Sequence, residues 1–185
     1  MMKTVSMSGS LRENVGKKDA KALRTEERVP CVVYGAGEQI QFSVEQKAFK
    51  SLLFTPEVHF VELDIAGTKK RAILHDIQYH PVNDEVIHAD FLELQDDRAI
   101  MMKIPVKTKG DSPGVIRGGK LTFKFRKVKV KALPKDMPED ITIDISPLDI
   151  NQGVMVSEVP TGNYEILEGK TNYVVFIKPT RSSGK

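Results

Sequence analysis

Along QIQFSV, residues 39–44, apolar and polar positions alternate one by one. That period belongs to a strand with one face in a core and the other in water. VSMSGSL (5–11) reads as an opening strand, and CVVYG (31–35) is an apolar run stopped by glycine. HFVELDI (59–65) and KRAILHDIQY (70–79) flank AGTK, a hairpin turn built around Gly67. EVIHADFLEL (85–94) follows the turn PVND, which makes about six strands in the first half. Two segments carry a helical period instead. Lys17 to about Thr25 has a narrow apolar stripe, Ala20 and Leu23, with Lys17, Lys21, Arg24 and Arg28 on another face. Ala48, Phe49, Leu52 and Leu53 repeat at helical spacing, with Ser43 and Gln46 as a capping box and Pro56 as the stop.

Past residue 100 the pattern stays β: IMMKIPVKTKG, LTFKFRKVKVKAL, DITIDIS, NYEILE and NYVVFIK. Loops rich in Gly and Pro (DSPGVIRGG, PKDMPED, PTG) separate them. In LTFKFRKVKVKAL, Phe123, Phe125, Val128 and Val130 are expected inward. The lysines are expected outward, with a parity break at Arg126–Lys127 that a bulge would explain. QDDRAI (95–100) is polar and falls where the charge balance changes sign, so the expected organisation is 1–95, 96–180 and a disordered tail, 181–185. The fold class expected is mostly β, in two parts.

Composition narrows the function classes. The 185 residues are 40% apolar, enough for packed cores, and no window approaches the roughly 18 apolar residues of a membrane span. The first residues lack an apolar h-region, so no secretory signal is expected. Cys31 is the single cysteine, which points to a reducing, cytoplasmic setting. Net charge is only +3, yet it is unevenly spread. Residues 1–94 carry 12 Lys/Arg against 14 Asp/Glu, and 95–185 carry 16 against 11. Residues 3–24 hold six cations against two anions, and 117–135 hold eight cations and no anion. Such patches in a near-neutral chain suit docking to a polyanion. Gly16, just before the first helix, leaves helix-start N–H groups open to an anion.

The densest chemistry lies in HDIQYHPVNDEVIHADF, residues 75–91. A simple hairpin around PVND places His75 opposite Asp90 and Ile77 opposite His88, with His75, His88 and Asp90 on one face. Four readings compete: a zinc site, an acid–base pair, histidines that only satisfy a sheet surface, and a surface that reads hydrogen-bond edges. There is no HExxH, no cysteine ligand, no G-x-S-x-G and no P-loop, since GAG at 35–37 lacks the Lys and Ser/Thr. Tyr34 offers a ring that can stack and a hydroxyl that can hydrogen-bond.

RENVGKKDAKALRTEERVPCVVYG, HDIQYHP and HADF together resemble the family of 5S-rRNA-binding proteins of the bacterial large ribosomal subunit, number twenty-five. PVKTKGDSPGVIRGGKL and ISPLDINQGVMVSEV resemble the second domain of its longer CTC general-stress form. The resemblance implies an amino-terminal six-stranded β-barrel with short helices and a second, mostly antiparallel β domain. It implies a non-enzymatic, ribosome-associated protein, monomeric when free and without cofactor or metal. Its partner would be an irregular internal loop of 5S rRNA, approached from the minor-groove side. Carried over position by position, the RNA contacts are Arg12, Gly16, Lys17, Lys18, Lys21, Arg24, Tyr34, Arg71, His75, Gln78, His88 and Asp90. The chain has GKKDA where the family commonly has GxGxA. The second domain would lean on neighbouring rRNA or ribosomal proteins through 117–135. Two other readings stay open: binding of another folded RNA such as tRNA, and a metal-dependent hydrolase built on His75, His88 and Asp90.

Overall fold

The computed structural model describes residues 2–35, 37 and 39–181, and the chain packs as two compact units, Met1–Arg98 and Ala99–Lys185. Residues 182–185 of the expected disordered tail lie outside the described residues.

In the first unit, β1 (Thr4–Leu11) leads through α1 (Lys17–Thr25) to β2 (Arg28–Tyr34) and β3 (Ile40–Glu45). A 3-10 turn (Gln46–Phe49) runs into the one-turn α2 (Lys50–Leu53), followed by β4 (Phe60–Ile65), β5 (Thr68–Tyr79) and β6 (Val86–Glu93). The six strands close into a barrel in the order β1-β3-β2-β6-β5-β4. Four of its pairings are antiparallel, and the parallel pairs β1–β4 and β2–β6 complete the ring. Closure leaves no free sheet edge. Alternation then sorts the side chains. Val29, Cys31, Val33, Phe42, Val44, Val61, Leu63, Ala89 and Phe91 fill the interior at 0–1% exposure. The rings of Phe42 and Phe91 sit 5.8 Å apart and tilted. Burial pushes the Cys31 thiol pKa well up, so it is a protonated core residue rather than a reactive one. Gly9 is where β1 must lie close, since a Cβ there would meet Phe42 at 2.7 Å. The β4–β5 turn puts both Ala66 (φ 50) and Gly67 (φ 85) in the left-handed region, as a two-residue hairpin requires.

In the second unit, β7 (Ile100–Lys109) and the short α3 (Pro113–Ile116) precede β8 (Lys120–Phe123) and β9 (Lys127–Ala132). Then come β10 (Ile141–Asp144), β11 (Gly153–Met155), β12 (Glu165–Ile166) and β13 (Tyr173–Lys178). They form one sheet of order β10-β7-β9-β12 and another of order β11-β13-β8. All pairings are antiparallel except β10–β7. The chain is mostly β, with a closed six-stranded barrel and a second, mostly antiparallel part, as the sequence pattern and the resemblance led one to expect.

Several local expectations need correction. LTFKFRKVKVKAL is not one bulged strand: β8 and β9 belong to different sheets, and Lys124–Arg126 is the crossing point. Val128 and Val130 do point into the core at 1% and 0% exposure, whereas Phe123 and Phe125 are only half-buried. The capping box does not form. Ser43 is a buried β3 residue whose hydroxyl and carbonyl accept from Arg28, so it cannot start a helix. Arg28 is likewise a strand residue and shares no helix face with Lys17 and Lys21. DSPGVIRGG contains a helical turn because the Ser112 hydroxyl accepts from the N–H groups of Gly114 and Val115, and Pro113 suits the first helical position.

Candidate nucleic-acid interface

β2, β6 and β5 lie side by side, and their outward residues form one surface. Ala89 and Phe91 point into the barrel, so His88 and Asp90 point out. Val33 points in, so Tyr34 points out from β2. Two residues of β5, His75 and Asp76, share the space opposite Asp90. The register runs Leu74 opposite Phe91, then Asp76 opposite Asp90, Ile77 opposite Ala89 and Gln78 opposite His88. This corrects the simple hairpin, which set His75 against Asp90 and Ile77 against His88. His75 is the extra residue of a bulge, and the shift turns Ile77 toward the core while Asp76 and Gln78 face outward. Pairing regains its original offset at Tyr79, opposite Val86.

The bulge aims His75 at a neighbour. Its Nδ1 lies 3.0 Å from the Tyr34 hydroxyl, and the two rings meet edge to face at 6.1 Å. His88 Nδ1 lies 2.9 Å from Asp90 Oδ1 on the same strand. The contact sets the His88 imidazole beside a carboxylate that, when ionised, only accepts. Burial, then the charges of Asp90 and Asp76, raise the pKa of Tyr34, so its hydroxyl keeps its proton at neutral pH and can donate. Tyr34, His88 and Asp90 are half-buried, while His75, Asp76 and Gln78 are exposed. The face therefore carries both donors and acceptors, with Tyr34 held to His75 and His88 to Asp90. Asp76 is a member that sequence reading missed. Only the bulge brings it there, and nothing in HDIQYHP announces a bulge.

The expected cations fall into two sets. Lys17, Lys18 and Lys21 are exposed on α1, with no ion pair among the described residues. Gly16 begins that helix with no side-chain cap, and a Cβ there would meet nothing within 4 Å. Arg12 and Arg24, by contrast, are engaged in the fold. Arg12 binds Asp19 through Nε (3.1 Å) and Nη2 (2.5 Å), with its side chain 8% exposed. Arg24 donates to the carbonyl of Ile87 at 3.2 and 3.0 Å. One arginine thus ties α1 to the loop after β1, and the other ties it to β6 beside His88. α1 also packs on β2 through half-buried Ala20 and Leu23. Arg71, on β5, is exposed and reaches Asp96 at 3.7 Å, a loose surface pair.

Among the described residues no three His, Cys, Asp or Glu side chains gather as metal ligands would. His75 contacts Tyr34. No helix is long and apolar enough to cross a membrane.

Comparison with known proteins bears on both units. A family model described as the Ribosomal L25p family matches residues 7–91, and one described as Ribosomal protein TL5, C-terminal domain, matches residues 99–181. The chain is 42% identical over 181 residues to the large ribosomal subunit protein bL25 of Amoebophilus asiaticus, spanning 98% of this chain and 92% of that one. It is 41% identical over 181 residues to the protein of the same name from Cytophaga hutchinsonii, covering 98% and 94%. To that of Porphyromonas gingivalis it is 41% identical over 184 residues, covering 98% and 96%.

Proposed function

The chain belongs to the Ribosomal L25p family in its two-domain form, as a structural component of the large ribosomal subunit rather than an enzyme, and from that premise we propose that its first unit binds 5S rRNA at an irregular internal loop. The observation that carries the reading is the outward row of Tyr34, His75, Asp76, Gln78, His88 and Asp90 beside a helix whose exposed lysines have no ion pair among the described residues.

A regular A-form helix hides its base edges in a deep major groove and shows a shallow minor groove with 2′-hydroxyls. A distorted loop widens the grooves and exposes the edges. Guanine's amino group is the donor that the minor groove presents, and Asp90 and Asp76 are acceptors suited to it. The Tyr34 hydroxyl and Gln78 amide suit acceptor edges and 2′-hydroxyls. Two neighbouring carboxylates repel phosphate, so the face selects edges over backbone. Phosphates fall to Lys17, Lys18, Lys21 and the open N–H groups after Gly16. Arg12 and Arg24 act by holding α1 in place. The protein works on cytoplasmic ribosomes, and free of RNA it is a monomer.

Asp90→Ala tests this directly. It removes one edge acceptor and frees His88, and its expected cost in 5S affinity is about 1–3 kcal/mol, the worth of one good edge contact. Transfer RNA binding should change little in a side-by-side titration. Equal losses on both RNAs would mean that Asp90 does not read edges, and would favour the alternative of a general binder of folded RNA.

A further inference from the structure

The second unit carries a cationic face that the 5S reading does not use. In the sheet β10-β7-β9-β12, Ile104, Val128 and Val130 are buried at 0–1%, so the intervening residues face out. These are Met101 and Lys103 on β7 and Lys127, Lys129 and Lys131 on β9, all exposed. Lys103 stands directly opposite Lys129, and Lys131 opposite Met101. Like charges directly across a ladder are destabilising, and the ion pairs of this unit, Lys107 with Asp140 and Arg117 with Asp149, lie away from this ladder. Lys103, Lys127 and Lys129 have no ion-pair partner among the described residues. The nearest anion across the ladder is Glu165, opposite Lys131 at the β12 edge.

We propose that this lysine face is a second RNA contact, which grips the phosphate backbone of a duplex without reading its sequence. Alternate residues along β9 stand roughly 6.6 Å apart, a spacing on the order of that between successive phosphates. The residue choice favours RNA over an acidic protein. Lysine is depleted at protein–protein interfaces, where aromatic residues and arginine dominate, and this face has neither. A row of flexible, strongly hydrated point charges suits a polyanion whose partners can slide in register. The inference stands apart from the 5S reading, because it needs no internal loop.

The test uses the full chain and a regular RNA duplex of about two helical turns without an internal loop. Wild type and K127Q/K129Q/K131Q are titrated against it across a range of salt. The wild type should bind with a steep salt dependence. The triple variant should lose close to one unit of slope per lysine, about 2–3 in all, with an unchanged thermal melt. An unchanged slope overturns the proposal. So does an unchanged slope accompanied by lost binding to polyglutamate, which would assign the face to an acidic protein surface instead.

Discussion

On the proposed 5S reading, Lys21 and Asp90 divide the work of recognition between them. Lys21 is exposed on α1 with no ion pair among the described residues. Lys21→Ala is expected to flatten the salt dependence of 5S binding by about 0.7–0.9 in log–log slope. Its melt should match that of wild type. An unchanged slope would show that Lys21 only solvates its helix. Asp90→Ala is expected to act the other way, on selectivity rather than slope, because it removes no phosphate contact. The sequence shows the pair His88–Asp90 plainly, since residues two apart on a strand share a face wherever the register falls. It does not show Asp76, or the meeting of His75 with Tyr34. Both depend on one extra residue in β5, and a shift by one residue reverses every face assignment beyond it.

At the scale of elements, α1 matters as a platform. It buries no residue fully, so its position rests on half-buried Ala20 and Leu23 and on two arginine ties. Arg24→Ala removes the donors to the Ile87 carbonyl and is expected to cost about 0.5–1.5 kcal/mol in a urea melt. It should weaken 5S binding as the helix loosens. A variant with lower 5S affinity and an unchanged melt would instead make Arg24 a direct RNA contact. Sequence placed this helix well, from Lys17 to about Thr25, because its lysines and its short apolar stripe share one period. It could not separate arginines that hold the helix from lysines that face outward. Both are cations at similar spacing, and only Asp19 and the Ile87 carbonyl, brought near by folding, tell them apart. LTFKFRKVKVKAL failed for a related reason. The period of two is the same on both sides of the parity break at Arg126–Lys127, and it says nothing about which sheet each half joins.

The whole molecule is two units, each with its own core. The first has a closed barrel of six strands within 98 residues, a size at which a single core supports independent folding. A fragment of residues 1–98 is therefore expected to melt cooperatively and to bind 5S rRNA with little loss. It should enter large subunits less well than the full chain, because the lysine face is gone. Incorporation equal to that of the full chain would leave the second unit without a role in assembly. The six strands of the first unit and the class of the fold were legible from alternation and turns, whereas in the second unit the strand Gly153–Met155 and the division of LTFKFRKVKVKAL were not. The closure was not, because β1–β4 and β2–β6 join strands distant in sequence, and local patterns carry no trace of parallel partners.

The most direct measurement is a titration of labelled 5S rRNA with the full chain, at moderate salt, with and without excess tRNA. Binding that survives the competitor is the predicted result, because the edge-reading face should favour the irregular loop over any regular or differently folded RNA. Binding that tRNA abolishes would contradict it, and would leave a ribosomal protein whose first unit holds RNA by charge alone.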